Sequence, residues 1–260
     1  MLPASGVMAL RNRLGFICWI VIQCWVSCAF AEDVVIFGSD QFAPVSYMEN
    51  GSPKGIFPEI LKRMSTVTGD HYIVKLCPWE RALRLAQSGA GGVANVSWNA
   101  KRANDFDYSL PFYNVNVVLV VKKGREFDFK QIDDLKDKVI GIGLGSSYRD
   151  EMDAAIASGK VKVDRDPDQQ SRMRKLLAGR VDAILVGSGS AGVSYIISQY
   201  PDKSVTRNAI SILPHPLVTD PLHVMFAKNM KKKYLLQKMN EAYGQLLRSG
   251  KLDDLLAGKN

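Results

Sequence analysis

Tyr72-Ile-Val-Lys-Leu-Cys-Pro-Trp-Glu-Arg-Ala-Leu-Arg-Leu-Ala-Gln-Ser-Gly-Ala-Gly-Gly-Val-Ala-Asn-Val96 decides the fold class. Two strand-like runs, Tyr72–Leu76 and Val93–Val96, flank a helix over Trp79–Gln87. In that helix Trp79, Ala82, Leu83 and Ala86 recur at the i, i+3, i+4, i+7 spacing of a buried stripe, and Gly89 closes it. The alternation continues outward, with a strand at Val34–Gly38 and a helix over about 58–68 before it, and Val117–Val121 after it. A second set follows: Val139–Gly143, a helix from Ser147 to Ala157, Val161–Val163, a helix from Gln169 to Ala178, and Val181–Val186. A third segment holds a strand at His223–Ala227, an amphipathic helix over about 231–248 and Leu252–Leu256. Such alternation predicts an α/β protein with helices on the sheet faces. The glycines at 89, 91 and 92 and at 187, 189 and 192 lack the Lys-Ser/Thr and the strict spacing of nucleotide-binding loops, and read as turns.

The N-terminus carries Arg11 and Arg13, an apolar run from Phe16 to Phe30, and Ala29-Phe30-Ala31. This predicts a secretory signal peptide over residues 1–31, cleaved after Ala31, and hence a periplasmic protein. The apolar run, roughly 15 residues, is short of the ~20 that span a membrane. Cys28 raises a lipoprotein alternative, disfavoured by Trp25 where a lipobox has an aliphatic residue. Of 4 cysteines, Cys18, Cys24 and Cys28 fall in this leader, which leaves Cys77 alone and excludes an intramolecular disulfide. Removing 31 of the 260 residues leaves 229, enough for two lobes with real cores, and losing Arg11 and Arg13 takes the formal charge from +8 to +6. That dispersed excess favours anionic small molecules or surfaces without identifying either.

Joints are expected at Val121–Gly124 and Leu217–Leu222, giving lobe 1 over 32–121 and 222–260 and lobe 2 over 122–221, joined by two crossings around a hinged cleft. His71, His215 and His223 are scattered and joined by no acidic cluster, so no metal site and no cofactor is expected. Lys231-Lys232-Lys233 has no interleaved aromatics and reads as a solvated helix start, so no nucleic acid is expected.

The chemistry concentrates between Asn95 and Tyr113, where Arg102 stands among small hydroxyl and amide side chains. A guanidinium offers a planar fork of donors matched to a carboxylate, and neighbouring hydroxyls can complete the grip. The plainer reading of Arg102 is a loop arginine paired with Asp105 or Asp107. Trp79 by spacing is a core residue, and Ser146 and Ser147 by themselves are a helix N-cap.

In order along the chain, Phe42-Ala43-Pro44 with Tyr47, Gly55-Ile56-Phe57-Pro58-Glu59, Pro78-Trp79-Glu80-Arg81-Ala82-Leu83, Asp107-Tyr108-Ser109, Pro111-Phe112-Tyr113, Asp134-Leu135-Lys136, Gly145-Ser146-Ser147 and Gly179-Arg180-Val181-Asp182-Ala183 resemble the bacterial extracellular solute-binding proteins of family 3. The resemblance covers essentially 32–260. It implies a two-lobed, periplasmic-binding-protein-like (type II) fold with a ligand cleft, no catalysis, a monomer, and delivery of a small anionic or zwitterionic solute to an inner-membrane ABC permease. It also implies that Phe42 and Trp79 wall the ligand, that Ser97, Arg102 and the backbone at Asn95 hold a carboxylate from lobe 1, and that Gly145, Ser146 and Ser147 meet the same group at a helix start, where free N–H groups favour an anion.

One position departs from the family's pattern. Amino-acid binders place an aspartate for the ligand's ammonium after the strand represented here by Val181–Val186, and this chain has Gly187. Either Asp40 or Glu80 substitutes, or the ligand is not an ordinary α-amino acid. Alternatives on the same fold are a cyclohexadienyl or arogenate dehydratase, with Glu80 as its general acid, and a soluble sensor for a membrane receptor.

Overall fold

The computed structural model describes residues 33–257. The expected signal peptide, its cleavage site and Cys28 lie outside the described residues. In chain order the elements are β1 (Asp33–Ser39), β2 (Gln41–Phe42), β3 (Ser46–Glu49), β4 (Ser52–Lys54), α1 (Ile56–Thr68), β5 (His71–Cys77), α2 (Trp79–Gln87), β6 (Gly92–Ser97), α3 (Ala100–Ala103), β7 (Phe106–Tyr108) and β8 (Tyr113–Lys122). Then come β9 (Val139–Gly143), α4 (Arg149–Ala157), β10 (Lys162–Asp166), α5 (Gln169–Leu177), β11 (Ala183–Val186), α6 (Gly189–Ser198), α7 (Lys203–Asn208), β12 (Ile210–Ile212), β13 (Val218–Ala227), α8 (Lys233–Arg248) and α9 (Asp253–Leu256). No described helix is long and apolar enough to cross a membrane.

The main strands run in the order β10-β9-β11-β8-β13-β6-β1-β5. Parallel pairs (β1 with β5 and β6, β9 with β10 and β11) form the two outer regions, and β8 and β13 run between them. Strand β8 pairs antiparallel with β13 through Tyr113–Val117 and with β11 through Val118–Val121. The chain therefore changes sheet inside an unbroken strand, before the joint expected at 121–124.

Each region is a sheet covered on both faces, giving an α/β fold of two lobes. In the first, the stripe Ile56, Phe57, Ile60, Leu61 and Met64 of α1 packs with Leu235, Leu236, Met239, Ala242 and Leu246 of α8 on one face, and Ala82 and Ala86 of α2 lie on the other. Phe112 and Phe226 are the largest fully buried side chains there, and the Phe112 ring centroid lies 4.7 Å from that of Tyr243. Burying one such side chain stabilises by roughly 2–3 kcal/mol. In the second lobe, Met152 and Ala155 of α4 cover one face, and Met173 and Leu176 of α5 with Val193, Ile196 and Ile197 of α6 cover the other.

Several expectations need correction. Helix α6 was hidden because Gly187, Gly189 and Gly192 read as turns: Gly189, at φ 64°, opens the helix, and Gly192 lies buried within it. Strand β13 starts five residues earlier than His223 and carries Pro221 opposite Asn114, so the proline sits inside a pairing that sequence alone would break there. Helix α4 begins at Arg149 rather than Ser147.

Candidate functional site

A cleft opens between the two sheets. It is lined from the first lobe by Asp40, Phe42, Trp79, Asn95, Ser97 and Arg102, from the second by Gly143, Ser146, Ser147, Asp166, Arg172 and Gly187, and at the crossing by Asp220. Of the residues singled out from sequence, Phe42, Trp79, Asn95, Ser97, Arg102, Ser146 and Ser147 thus come together. Gly145 sits just behind them and presents its carbonyl.

Arg102 lies in the short α3, whose N-cap Asn99 accepts from the Arg102 backbone N–H at 2.8 Å. Its guanidinium reaches across the cleft, where Nη2 donates to the Gly145 carbonyl at 2.8 Å. No ion pair joins Arg102 to Asp105 or Asp107 among the described residues. Burial draws its pKa down from the ordinary arginine value, while Tyr108, Asp153 and Asp220 act in the opposite direction. Trp79 is the first residue of α2, so its indole projects from a helix end. Its Nε1 donates to the same Gly145 carbonyl at 3.2 Å. Helical spacing placed Trp79 in the core; one side of it packs there and the other faces the cleft.

Asn95 is held at φ 61° and is buried, and its Nδ2 donates to Ser46 Oγ at 3.1 Å. Its carbonyl Oδ1 has no partner. A left-handed asparagine just inside a strand end marks a locally constrained backbone. Ser97 ends β6, with Oγ 2.5 Å from Asp220 Oδ2. Phe42 presents its ring edge to Gly187, where a Cβ would sit only 3.1 Å from Phe42 Cε2. The aromatic ring therefore fills the space next to the position at which an ammonium-binding aspartate was expected.

The loop Gly145–Ser147 does not form the helix-start cradle that the sequence suggested. Helix α4 starts two residues later, and Asp153 reaches back so that its Oδ1 accepts from the Tyr148 N–H at 3.0 Å. Ser147 Oγ donates to Asp153 and accepts from Asn99 Nδ2 at 2.8 Å. A carboxylate from within the chain thus already occupies the positive end of α4. What the loop offers a ligand is the Ser146 hydroxyl on the cleft wall, not a row of free amides at the helix end.

Two acids change rank. Glu80 does not line the cleft: its half-exposed side chain stands beside Gly145 and pairs with Arg84 at 3.3 Å. Asp220, which sequence reading missed, is 3 % exposed, lies at the floor beside Ser97, and has Oδ1 without a partner. Burial pushes its carboxyl above the usual carboxylate range, with the Ser97 hydrogen bond opposing. Asp40, suggested from sequence, does line the cleft with an unpartnered Oδ1, and burial raises it as well. The only sequence sign of Asp220 was an acid preceding Pro221 at the crossing. For Arg172 a sign existed in α5: it stands four residues before Leu176, on the buried stripe.

No group of three metal-ligating side chains occurs among the described residues. As arranged, the site can grip a carboxylate through Arg102 and Ser97 and can pair a cation with Asp220.

Residues 34–258 match the family model described as bacterial extracellular solute-binding proteins, family 3. The probable amino-acid-binding protein YxeM of Bacillus subtilis is 25 % identical over 217 residues, covering 83 % of this chain and 79 % of that protein. The L-cystine-binding protein TcyJ of Escherichia coli is 30 % identical over 149 residues, covering 56 % of this chain and 55 % of its own length. Among solved structures, a histidine kinase sensor domain similar to periplasmic binding proteins superposes with a TM-score of 0.74 at 19 % identity, covering 88 % of this chain and 96 % of that one.

Proposed function

Because the chain belongs to the bacterial extracellular solute-binding proteins of family 3, we propose that it captures an amino acid or closely related organic acid outside the cytoplasm and presents it to an inner-membrane ABC permease. The observation that carries this reading is that Arg102 and the buried Asp220, the latter bound by Ser97, line one cleft. A zwitterion needs opposite charges side by side, and a buried charge needs its partner supplied. Arg102 with Ser97 takes the carboxylate, and Asp220 takes the ammonium in place of the acid absent at Gly187. Phe42 and Trp79 are the walls, with Asn95, Gly145, Ser146 and Ser147 framing the pocket. Residues 33–117 with 222–257 form the lobe that supplies Arg102, and 118–221 form the lobe that closes on it. Closure follows because the ligand touches both walls at once.

The protein acts by binding and release rather than by turnover; Glu80, the general acid a dehydratase reading requires, is paired with Arg84 and is not among the cleft-lining residues. Export through a cleaved leader accounts for residues 1–31, and the working form is a monomer. Isothermal titration calorimetry with amino acids and small organic acids tests the reading. Saturable binding that Arg102→Ala removes supports it, and a folded protein that binds no member of the panel ends it. Mass spectrometry of what co-purifies gives the ligand directly.

A further inference from the structure

Arg172 is 6 % exposed, lines the cleft, and makes no hydrogen bond or ion pair from its guanidinium among the described residues; its Nε is buried without a partner. The chain goes to some length to put it there. Gly141 and Gly143 lie two apart on β9 and so face the same way. A Cβ at Gly141 would stand 3.1 Å from Arg172 Cγ and 2.9 Å from Ile184 Cγ2, and one at Gly143 would stand 3.1 Å from Arg172 Nη1. The arginine stem thus runs along a track of bare backbone from α5 to the cleft, where its Nη1 arrives beside Ser146, whose Oγ lies 2.5 Å from that same Gly143 point.

Asp166 and Asp168 are each held by another group through at least one oxygen. Asp166 Oδ1 is paired with Lys175 Nζ at 2.9 Å, and Asp168 caps α5 by accepting from the Ser171 N–H at 2.6 Å. Asp166 Oδ2 is buried and unpartnered, yet it forms no ion pair with Arg172. A guanidinium taken out of water with no counter-charge is costly, and its donors match a carboxylate. We infer that Arg172 with the Ser146 hydroxyl is a second anion subsite, so that the ligand carries a second acidic group besides the carboxylate held at Arg102. Arg102 grips the turn at Gly145 and Arg172 reaches it at Gly143, two residues apart, a chain span of at most about 7 Å. Together with Asp220, the site then suits an acidic amino acid, or an amino acid bearing a second carboxylate farther along its chain.

This inference rests on the reading of Arg102 and Asp220 as the amino-acid grip, and matched ligand pairs separate the two. Calorimetry on the full chain compares glutamate with glutamine, aspartate with asparagine, and S-carboxymethylcysteine with S-carbamoylmethylcysteine, each pair differing only in the second carboxylate. In at least one pair the diacid binds tenfold or more tighter, and Arg172→Gln reduces that ratio to near one. Partners of equal affinity in every pair that binds overturn the second subsite and leave the amino-acid reading standing. Silence from all six ligands overturns the second subsite, and silence from the wider panel of amino acids and organic acids overturns both. The wild-type ratios decide the matter even if the Arg172 variant folds poorly, and a diacid preference that persists in folded Arg172→Gln assigns it elsewhere and also overturns the subsite.

Discussion

The two walls of the cleft differ in whether their guanidinium group is satisfied without a ligand. The Arg102 wall is tied across the cleft: Arg102 and Trp79 share the Gly145 carbonyl, and Asn99 reaches Ser147. The Arg172 wall has a buried guanidinium and, behind it, one oxygen of Asp166 with nothing to bind. The first wall can hold the lobes together through its own hydrogen bonds, so a ligand there must exchange partners with them. The second gains its partner only from outside. Affinity should therefore come from both walls, but selectivity between ligands should come from the wall that begins unpaired.

The comparison breaks most sharply at Arg102. Arg102→Ala is expected to weaken ligand binding by at least ~2 kcal/mol, about thirtyfold, through loss of a charge-assisted contact. Circular dichroism should show an intact fold, and unchanged affinity by calorimetry removes Arg102 from the site. Next, Gly187→Asp, which restores the family's usual acid, should destabilise by about 1–3 kcal/mol because its Cβ meets the Phe42 ring. Denaturant titration measures this; a stable variant that binds an amino acid more tightly shows that Phe42 yields easily.

Asp220→Asn should lower affinity for an amine-bearing ligand about tenfold at neutral pH and flatten its pH dependence. Burial raises the Asp220 carboxyl, so in the wild type the ammonium must hold the group ionised, and affinity falls as pH drops through that raised value. The free protein shows the opposite trend in stability. An acid whose folded pKa is raised contributes stability below its unfolded pKa and loses it as pH rises through the folded value, so wild type should lose ground to the variant on going from acid to neutral pH. Thermal melts across that range check the sign. The smallest effect is that of Trp79→Phe, which keeps the wall but deletes the bond from Nε1 to Gly145, costing about 1 kcal/mol of affinity. A loss as large as that of Arg102→Ala would mean that the tie at Gly145 rests on the indole more than on the guanidinium.

What the sequence revealed followed the strength of local pattern. Helix α2 and strand β9 fall at the bounds that periodicity predicted, because an apolar stripe or run closed by glycine leaves little choice. The strands β2, β3 and β4 escaped notice because they are two to four residues of mixed polarity, stabilised by pairing with one another. The start of α4 was misplaced because serine hydroxyls promise a cap, while here the acid that satisfies the helix end is Asp153, in a later turn. Asp220 and Arg172 were missed for a common reason. A charged residue looks solvated until the fold is known, and only the crossing of β13 and the packing of α5 on β9 bring these two into the cleft.

The bare track on β9 also constrains how such a protein changes over generations. A side chain at Gly141 would press on Ile184 as well as on the Arg172 stem, and one at Gly143 on Ser146 as well as on the guanidinium, so removing the arginine alone opens neither position. Filling either glycine thus requires a second neighbour to move besides the arginine. Descendants that keep both glycines retain access to the charged pocket, and those that fill either one give it up in a way that a single reversal at position 172 does not restore.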